Sequence, residues 1–225
     1  MVKTTKRENY AVIGLGQFGR SICQSLVEAN QEVMAIDIDE DAVNEFTNIV
    51  TRAVIADCQD EDALKDLSIG SFDHVFVAIG SNIQASIMAT LLSKELGAKD
   101  VICKAENDSH ARVLEKIGAD QIVQPERDMA RRIVFHKLQP NIVNYLILNE
   151  KVTLAEVKVD NPTFVGKTLA ELALRNKYHV NVIAIAREGK VNTSPLASDA
   201  IELNDLISVV GNTADVEKFN GDANP

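Results

Sequence analysis

The sequence predicts a doubly wound parallel α/β sheet followed by a smaller α+β module. Three observations carry that expectation. The apolar run Ala11-Val12-Ile13 opens directly onto Gly14-x-Gly16-x-x-Gly19, and a second run, Val33 to Ile36, ends in Asp37. Six such apolar runs alternate with helical stretches as far as Gln124. From Lys151 the texture changes to polar/apolar alternation punctuated by hairpin signals.

The first strand-turn-helix-strand unit has a chemical reason for each part. Gly14 permits the tight turn out of the strand, Gly16 lets backbone amides approach a diphosphate, and Gly19 lets the helix pack closely on the sheet. Phe18, Ile22 and Leu26 recur at helical spacing, and Asn30 is a stop signal. The helix N-terminus, with Gln17 and Phe18 in its first turn, faces the anion. Asp37 lies at about the 20-residue offset at which a carboxylate accepts ribose hydroxyls, with Ile38 beside it.

The following elements repeat the pattern. Asp39-Glu40-Asp41 suits a helix start, with Ala42, Val43, Phe46 and Ile49 on its inner face. Ala53 to Ala56 is a third strand ending at Asp57, and Asp60-Glu61-Asp62 opens another helix. Val75 to Ile79 is the strongest buried strand, stopping at Gly80-Ser81-Asn82; the next helix turns Ile83, Ile87, Leu91 and Leu92 inward and closes at Gly97. Val101 to Lys104, a helix from Asp108 to Ile117, and Gln121 to Gln124 complete six strands and five helices.

Ligands of such sheets lie at the carboxyl ends of the strands. Gly14 to Gly19, Asp37, Ile38, Asp57, Cys58, Ala78, Ile79, Gly80, Asn82, Lys104 and Glu126 stand there. Asp57 and Cys58 border an adenine, or Asp57 caps the next helix; both readings stay open. Gly80 lets the backbone pass close to a ribose, or only ends its strand. Lys104 has a phosphate or carboxylate as its natural partner, with a surface salt bridge as the competing explanation.

Glu126 starts a further helix carrying Met129, Ile133, Val134 and Leu138, ending before Pro140. Asn141 to Leu148 is too apolar for a simple linker and is expected to be a second, swapped or dimer-forming helix, with packing on its own domain as the alternative. The expected organisation is therefore 1–125 as the nucleotide-binding domain, 126–149 as crossover helices and hinge, 150–219 as the α+β module, and 220–225 as a disordered tail. Within the module, Val152 to Val159, Val180 to Ala186, Lys190 to Asn192 and Leu206 to Val210 read as strands, and Asp215 to Phe219 as a short helix.

Composition narrows the function. Lys and Arg number 23 against 33 Asp and Glu, a net charge of -10 that makes a phosphate backbone a poor partner. No apolar run is long enough to span a bilayer, and Met1 to Glu8 has no signal-peptide core, so a cytoplasmic protein is expected. Cys23, Cys58 and Cys103 are isolated, and His74, His110, His136 and His179 show no metal-ligand spacing. A dehydrogenase needs a proton donor beside its substrate. His110, His136, His179 and Lys104 form no recognisable catalytic set, and the second module is small, which suits a regulator better than an enzyme.

The segments AVIGLGQFGRSIC, EVMAIDIDEDAVNE, HVFVAIGSNIQASI, VICKAEND and VLEKIGADQIVQPERDMARRI, with the terminal module, resemble the cytoplasmic regulatory subunits of Ktr-type bacterial potassium transporters, in the regulator-of-potassium-conductance (RCK) group. Only the stretch before Tyr10 and the tail fall outside the resemblance. It implies a Rossmann-like domain that holds ATP and ADP, or NAD-type nucleotides, in a non-catalytic gating subunit. It further implies homodimers assembled into an octameric ring on a membrane-embedded potassium transporter subunit, with ATP activating and ADP inactivating.

By that resemblance Gly14, Gly16 and Gly19 hold phosphates, Asp37 the ribose and Lys104 the nucleotide's far side. Glu126 approaches the phosphates and a Mg2+ or Na+ ion. Many relatives carry a basic residue where this chain has Gln17; Arg20, a turn further on, is either its substitute or a solvated helix residue. The resemblance also implies an inhibitory cyclic di-AMP cleft between two copies of the module. Arg175, His179, Val180, Asn181, Val182 and Pro195 would line it, with Val180 or Val182 as apolar wall. Two other readings stay open: an NAD-dependent oxidoreductase with a small substrate domain, and a redox-sensing repressor, which the acidic charge disfavours.

Overall fold

The computed structural model describes residues 8–149 and 151–224 and divides the chain into two compact units, residues 1–128 and 129–225. The stretch expected to lack a signal-peptide core lies, up to residue 7, outside the described residues.

In the first unit the elements run β1 (Asn9–Ile13), α1 (Gln17–Glu28), β2 (Glu32–Asp37), α2 (Glu40–Phe46), β3 (Arg52–Ile55), α3 (Glu61–Asp66), β4 (His74–Val77), α4 (Ile83–Glu95), β5 (Val101–Lys104), α5 (Asp108–Lys116) and β6 (Gln121–Val123). The strands form one parallel sheet in the order β3-β2-β1-β4-β5-β6. The order reverses between β1 and β4, the switch point where a doubly wound sheet opens a crevice. One face of the sheet is covered by a core including Leu64, Ala89 and Leu114, the other by one including Cys23, Val43 and Phe46. This is the Rossmann-like architecture expected.

Local chemistry explains the boundaries. Asp39, Asp60, Asn82 and Asn107 each accept backbone N–H bonds as helix N-caps. Asn30, Gly97 and Gly118 take left-handed backbone angles beyond the ends of α1, α4 and α5, as their types suggest. Two inward faces differ from expectation. Helix α2 ends at Phe46, so Ile49 is exposed and Val50 is buried instead. Helix α4 buries Ala85, Ser86, Ala89, Thr90, Leu92 and Ser93 while Ile83 is exposed. Small side chains let α4 approach the sheet closely, and that outweighs the larger apolar stripe.

Helix α6 (Pro125–Leu138) begins in the first unit and ends in the second, which continues with β7 (Ile142–Ile147), β8 (Val152–Lys158), α7 (Leu169–Leu172), α8 (Leu174–Tyr178), β9 (Asn181–Arg187), β10 (Lys190–Asn192), β11 (Leu206–Asn212) and α9 (Thr213–Ala223). The strands make an antiparallel sheet, β10-β9-β11-β8-β7. Its core centres on Ile142, Val157, Tyr178, Val180, Ile207 and Phe219.

Two expectations are corrected here. Asn141 to Leu148 is not a second crossover helix: Ile142–Ile147 is an edge strand paired with β8. Pro140 stops α6, and Asn149 accepts the N–H groups of Lys151 and Val152, a turn that folds the strand back on its neighbour. The region expected to hold two hinge helices therefore contains one. The tail is not disordered through 220–223 either, because α9 extends to Ala223. Phe219, Asn220 and Ala223 are buried, Asn220 donates to Gln139 at 2.6 Å, and the Tyr178 hydroxyl donates to Asp222 at 2.6 Å.

Candidate functional site

The glycines of the β1–α1 turn divide into two kinds. Gly14 has φ +97°, and a Cβ there would stand 2.9 Å from Ile79 Cγ1. At Gly19 an added Cβ would lie 1.8 Å from the Gly14 carbonyl oxygen, so the close seat of α1 on the turn excludes any side chain. Gly16 is different: nothing lies within 4 Å of a Cβ built on it. Its bare backbone faces open space, as a cradle for a diphosphate requires.

That space is a cleft of about 260 Å³ lined by Gly14, Gly16, Asp37, Ile38, Asp57, Cys58, Ala78, Ile79, Gly80 and Asn82, together with Gln59 and Ser81. Ten of the sequence-predicted nucleotide residues therefore meet at one crevice, at the carboxyl ends of β1, β2, β3 and β4. Ser81 stands at the strand end expected to face a ligand, with Gly80 and Asn82, whereas Gln59 had no such reading although it directly adjoins Cys58. Asp57 does not cap α3; Asp60 does, while Asp57 accepts the Gln59 N–H at 2.9 Å and holds the loop against the cleft.

Asp37 is half-buried. One carboxylate oxygen accepts the Leu15 N–H at 2.5 Å, the other the Asp39 N–H at 3.0 Å. A carboxylate has about four acceptor positions, so capacity for two ribose hydroxyls remains. Cys58 is a wall rather than a nucleophile: burial pushes its thiol up to about 11, with the Asp57 charge adding to the shift.

The other candidates lie outside the cleft lining. Phe18 packs against the core beneath α1, Gly19 seats the helix, and Gln17 is exposed in the first turn. Lys104 finds the carboxylate partner its position suggests: its Nζ donates to Glu126 Oε1 at 2.5 Å. The Lys104 hydrogen bond holds the Glu126 carboxyl below the usual carboxylate range. The same ammonium stands 3.2 Å from where a Cβ on Gly80 would be, next to the cleft. Among the described residues no group of three or more His, Cys, Asp or Glu is placed to hold a metal ion. Arg20 is partly exposed yet held in place: its Nε donates to the Leu15 carbonyl at 2.7 Å, and its Nη1 pairs with Glu45.

In the second unit, Arg175, His179 and Asn181 are exposed in sequence from α8 into β9, His179 with φ +56°. Val182 and Pro195 are half-buried. Val180 is fully buried and belongs to the core, so of the two candidate wall residues only Val182 reaches the surface. A cavity of about 500 Å³ lies beside the β9–β10 hairpin, lined by residues such as Arg187, Lys190, Asn192 and Asp199, and contains none of the six. Its Arg187 is committed to Asp205, Glu202 and the Ala200 carbonyl.

A Rossmann-like sheet with a glycine turn open to a cleft and an acidic residue at the end of β2 defines a nucleotide-binding class of fold. Residues 10–125 match the TrkA-N domain and residues 154–220 the TrkA-C domain. The chain is 51% identical to Ktr system potassium uptake protein C of Bacillus subtilis (strain 168), over 95% of this chain and 96% of that protein. It is 40% identical to Ktr system potassium uptake protein A of the same organism over the same shares, and 40% identical to its namesake from Vibrio alginolyticus over 92% of this chain and 94% of that one. The chain belongs to the Ktr-type potassium-uptake regulatory family.

Solved structures agree on the fold. The GsuK channel superposes with a TM-score of 0.70 at 15% identity, over all of this chain and 41% of that one. The GsuK channel bound to NAD gives 0.62 at 16%, over 95% of this chain and 39% of that one. This chain thus spans less than half of those channel chains.

Proposed function

We propose that this chain is the nucleotide-sensing, non-catalytic gating subunit of a bacterial potassium uptake system, peripheral to the cytoplasmic face of the membrane through a membrane-embedded transporter subunit. The observation that carries the reading is Gly16 open to the cleft beside Asp37. The described lining of the cleft includes no histidine or tyrosine, and the Lys104 ammonium beside it is paired with Glu126, which favours the regulatory reading over the oxidoreductase alternative. ATP and ADP are the ligands, with the diphosphate at Gly14 to Gly19 and the ribose at Asp37; NAD(H) shares the same diphosphate chemistry.

Lys104 and Glu126 connect the cleft to α6. A terminal phosphate near Gly80 competes with Glu126 for the Lys104 ammonium and frees the first turn of α6. A Mg2+ or Na+ ion at Glu126 would draw its further ligands from the phosphates. ATP and ADP then favour different arrangements only by their difference in affinity for each. Homodimers, assembled as an octameric ring, carry the change. The exposed Leu146, Ile147 and Leu148 and the exposed Met129, Ile133 and Leu138 supply apolar surface for a second copy.

Cyclic di-AMP binds at Arg175, His179, Asn181, Val182 and Pro195 from two copies and inactivates. Calorimetric titration with ATP, ADP, NADH and cyclic di-AMP, on the wild-type chain and on Asp37→Ala and Arg175→Ala, tests both sites. Adenine nucleotides lost at Asp37→Ala alone and cyclic di-AMP lost at Arg175→Ala alone support the reading. Tight NADH binding with no response to the others favours the oxidoreductase.

A further inference from the structure

Leu15, between the first two glycines, is held from both sides. Its N–H donates to Asp37 at 2.5 Å, and its C=O accepts from Arg20 Nε at 2.7 Å. Arg20 also pairs through Nη1 with Glu45, and its guanidinium carbon stands 5.9 Å from the Phe46 ring centroid. Glu45 and Phe46 form the end of α2. The start of α2 is capped by Asp39, whose own N–H donates to Asp37. The contacts therefore close a circuit, from Asp37 through Asp39 and α2 to Glu45, then through Arg20 and Leu15 back to Asp37.

This circuit encloses the turn on which a diphosphate would rest. The charged side chains lining the cleft itself are the carboxylates of Asp37 and Asp57, which repel a diphosphate. Lys104, the cation near Gly80, is paired with Glu126. Arg20 touches the glycine turn directly, and Glu45 offsets its charge. We infer that Arg20 is the positioning residue of the phosphate turn, and that Glu45 sets how much of the Arg20 charge a bound nucleoside diphosphate receives. The inference rests on the nucleotide reading above and adds a selectivity element to it: the diphosphate competes with Glu45 for the guanidinium, so occupancy is signalled to the end of α2 while the ribose engages its start.

The test is titration of the full-length chain with ADP and with adenosine, at low and high salt, for wild type, Glu45→Gln, Arg20→Gln, Arg20→Lys and the Glu45→Gln/Arg20→Gln pair. Glu45→Gln is expected to tighten ADP roughly threefold, less at high salt, and to leave adenosine unchanged. Arg20→Gln is expected to weaken ADP roughly tenfold, with adenosine unchanged and Arg20→Lys restoring part of the loss. The Glu45→Gln gain is expected to vanish in the Arg20→Gln background. An unchanged ADP affinity in Glu45→Gln, equal shifts for ADP and adenosine, or a gain that persists without Arg20 overturns the inference while leaving the nucleotide site standing. A wild-type chain that binds no ADP overturns both. If Arg20→Gln fails to fold, Glu45→Gln alone decides, since Glu45 is more than half exposed.

Discussion

The two candidate ligand regions are built in opposite ways. In the first unit, ten predicted residues from four strand ends already meet at one cleft inside a single chain, and the turn beneath it is set by steric contacts at Gly14 and Gly19. In the second, Arg175, His179 and Asn181 lie on exposed surface, and the cavity beside the β9–β10 hairpin contains none of them. A site inside a fold is shaped by the same packing that stabilises the fold. A site displayed on an open surface needs a second surface to enclose its ligand, which a two-fold contact between copies would supply.

The largest effect that would test the contrast is at Gly19. The Cβ of Gly19→Ala has no room against the Gly14 carbonyl, so the first unit should lose about 3 kcal/mol or more, read as a lowered midpoint in chemical denaturation. A variant that keeps wild-type stability would break the claim that packing sets the turn.

Next in size is Arg175→Ala. Loss of one charge-assisted hydrogen bond to a phosphate should weaken cyclic di-AMP by about 2 kcal/mol, with ADP affinity and stability unchanged. If the ligand joins two copies, sedimentation should show cyclic di-AMP favouring association in wild type and not in the variant. Binding to a strictly monomeric species would remove the contrast between the regions. Smaller again is Gly16→Ala, where open space makes the fold tolerant. Stability should change by less than about 1 kcal/mol, while ADP weakens roughly tenfold because the methyl group occupies the diphosphate's approach.

How much of this was legible in the sequence follows the same division. Buried parallel strands appear as unbroken apolar runs, so all six strands of the first sheet and most of its cleft could be read directly. Segment 141–148 was misread because its outward positions, Val143, Leu146 and Ile147, are apolar too, and this masks the period-2 signal; the informative residue was Asn149, a turn former. The end of α9 was misread because Gly221, Asp222 and Asn224 look like tail composition. The spacing of Val216, Phe219 and Ala223 is that of one buried helical face, and it was the better guide. Lys104 was recognisable as a strand-end cation. Its pairing with Glu126 depends on β5 lying beside β6, with Lys104 opposite Val123, a fact of register that local sequence does not contain. The role of Arg20 was undecidable for the same reason, since Glu45 approaches it only after α2 has folded back.

The smallest expected effect concerns the opposite end of the first sheet. His74, at the start of β4, donates or accepts at Asp100 (2.6 Å) and Glu8 (3.2 Å), and its ring stacks on Tyr10 with centroids 4.8 Å apart. Burial pulls the imidazole pKa down, but the hydrogen bonds and charges of Asp100 and Glu8 outweigh it, and the net shift is upward from 6.5. A raised folded-state value means the stabilisation is fully present below pH 6.5 and is lost as pH rises through the folded value. Because the ring is partly exposed, the loss should be below about 1 kcal/mol. Denaturation of the first unit between pH 6 and 8, read by the ADP-sensitive transition, should show this slope in wild type and lack it in His74→Gln. Since the cluster sits at the amino ends of the strands, away from the cleft at their carboxyl ends, ADP affinity should not follow the same pH profile. If it does, the first unit transmits charge changes along its strands, and its cleft is less rigidly preformed than its glycine packing suggests.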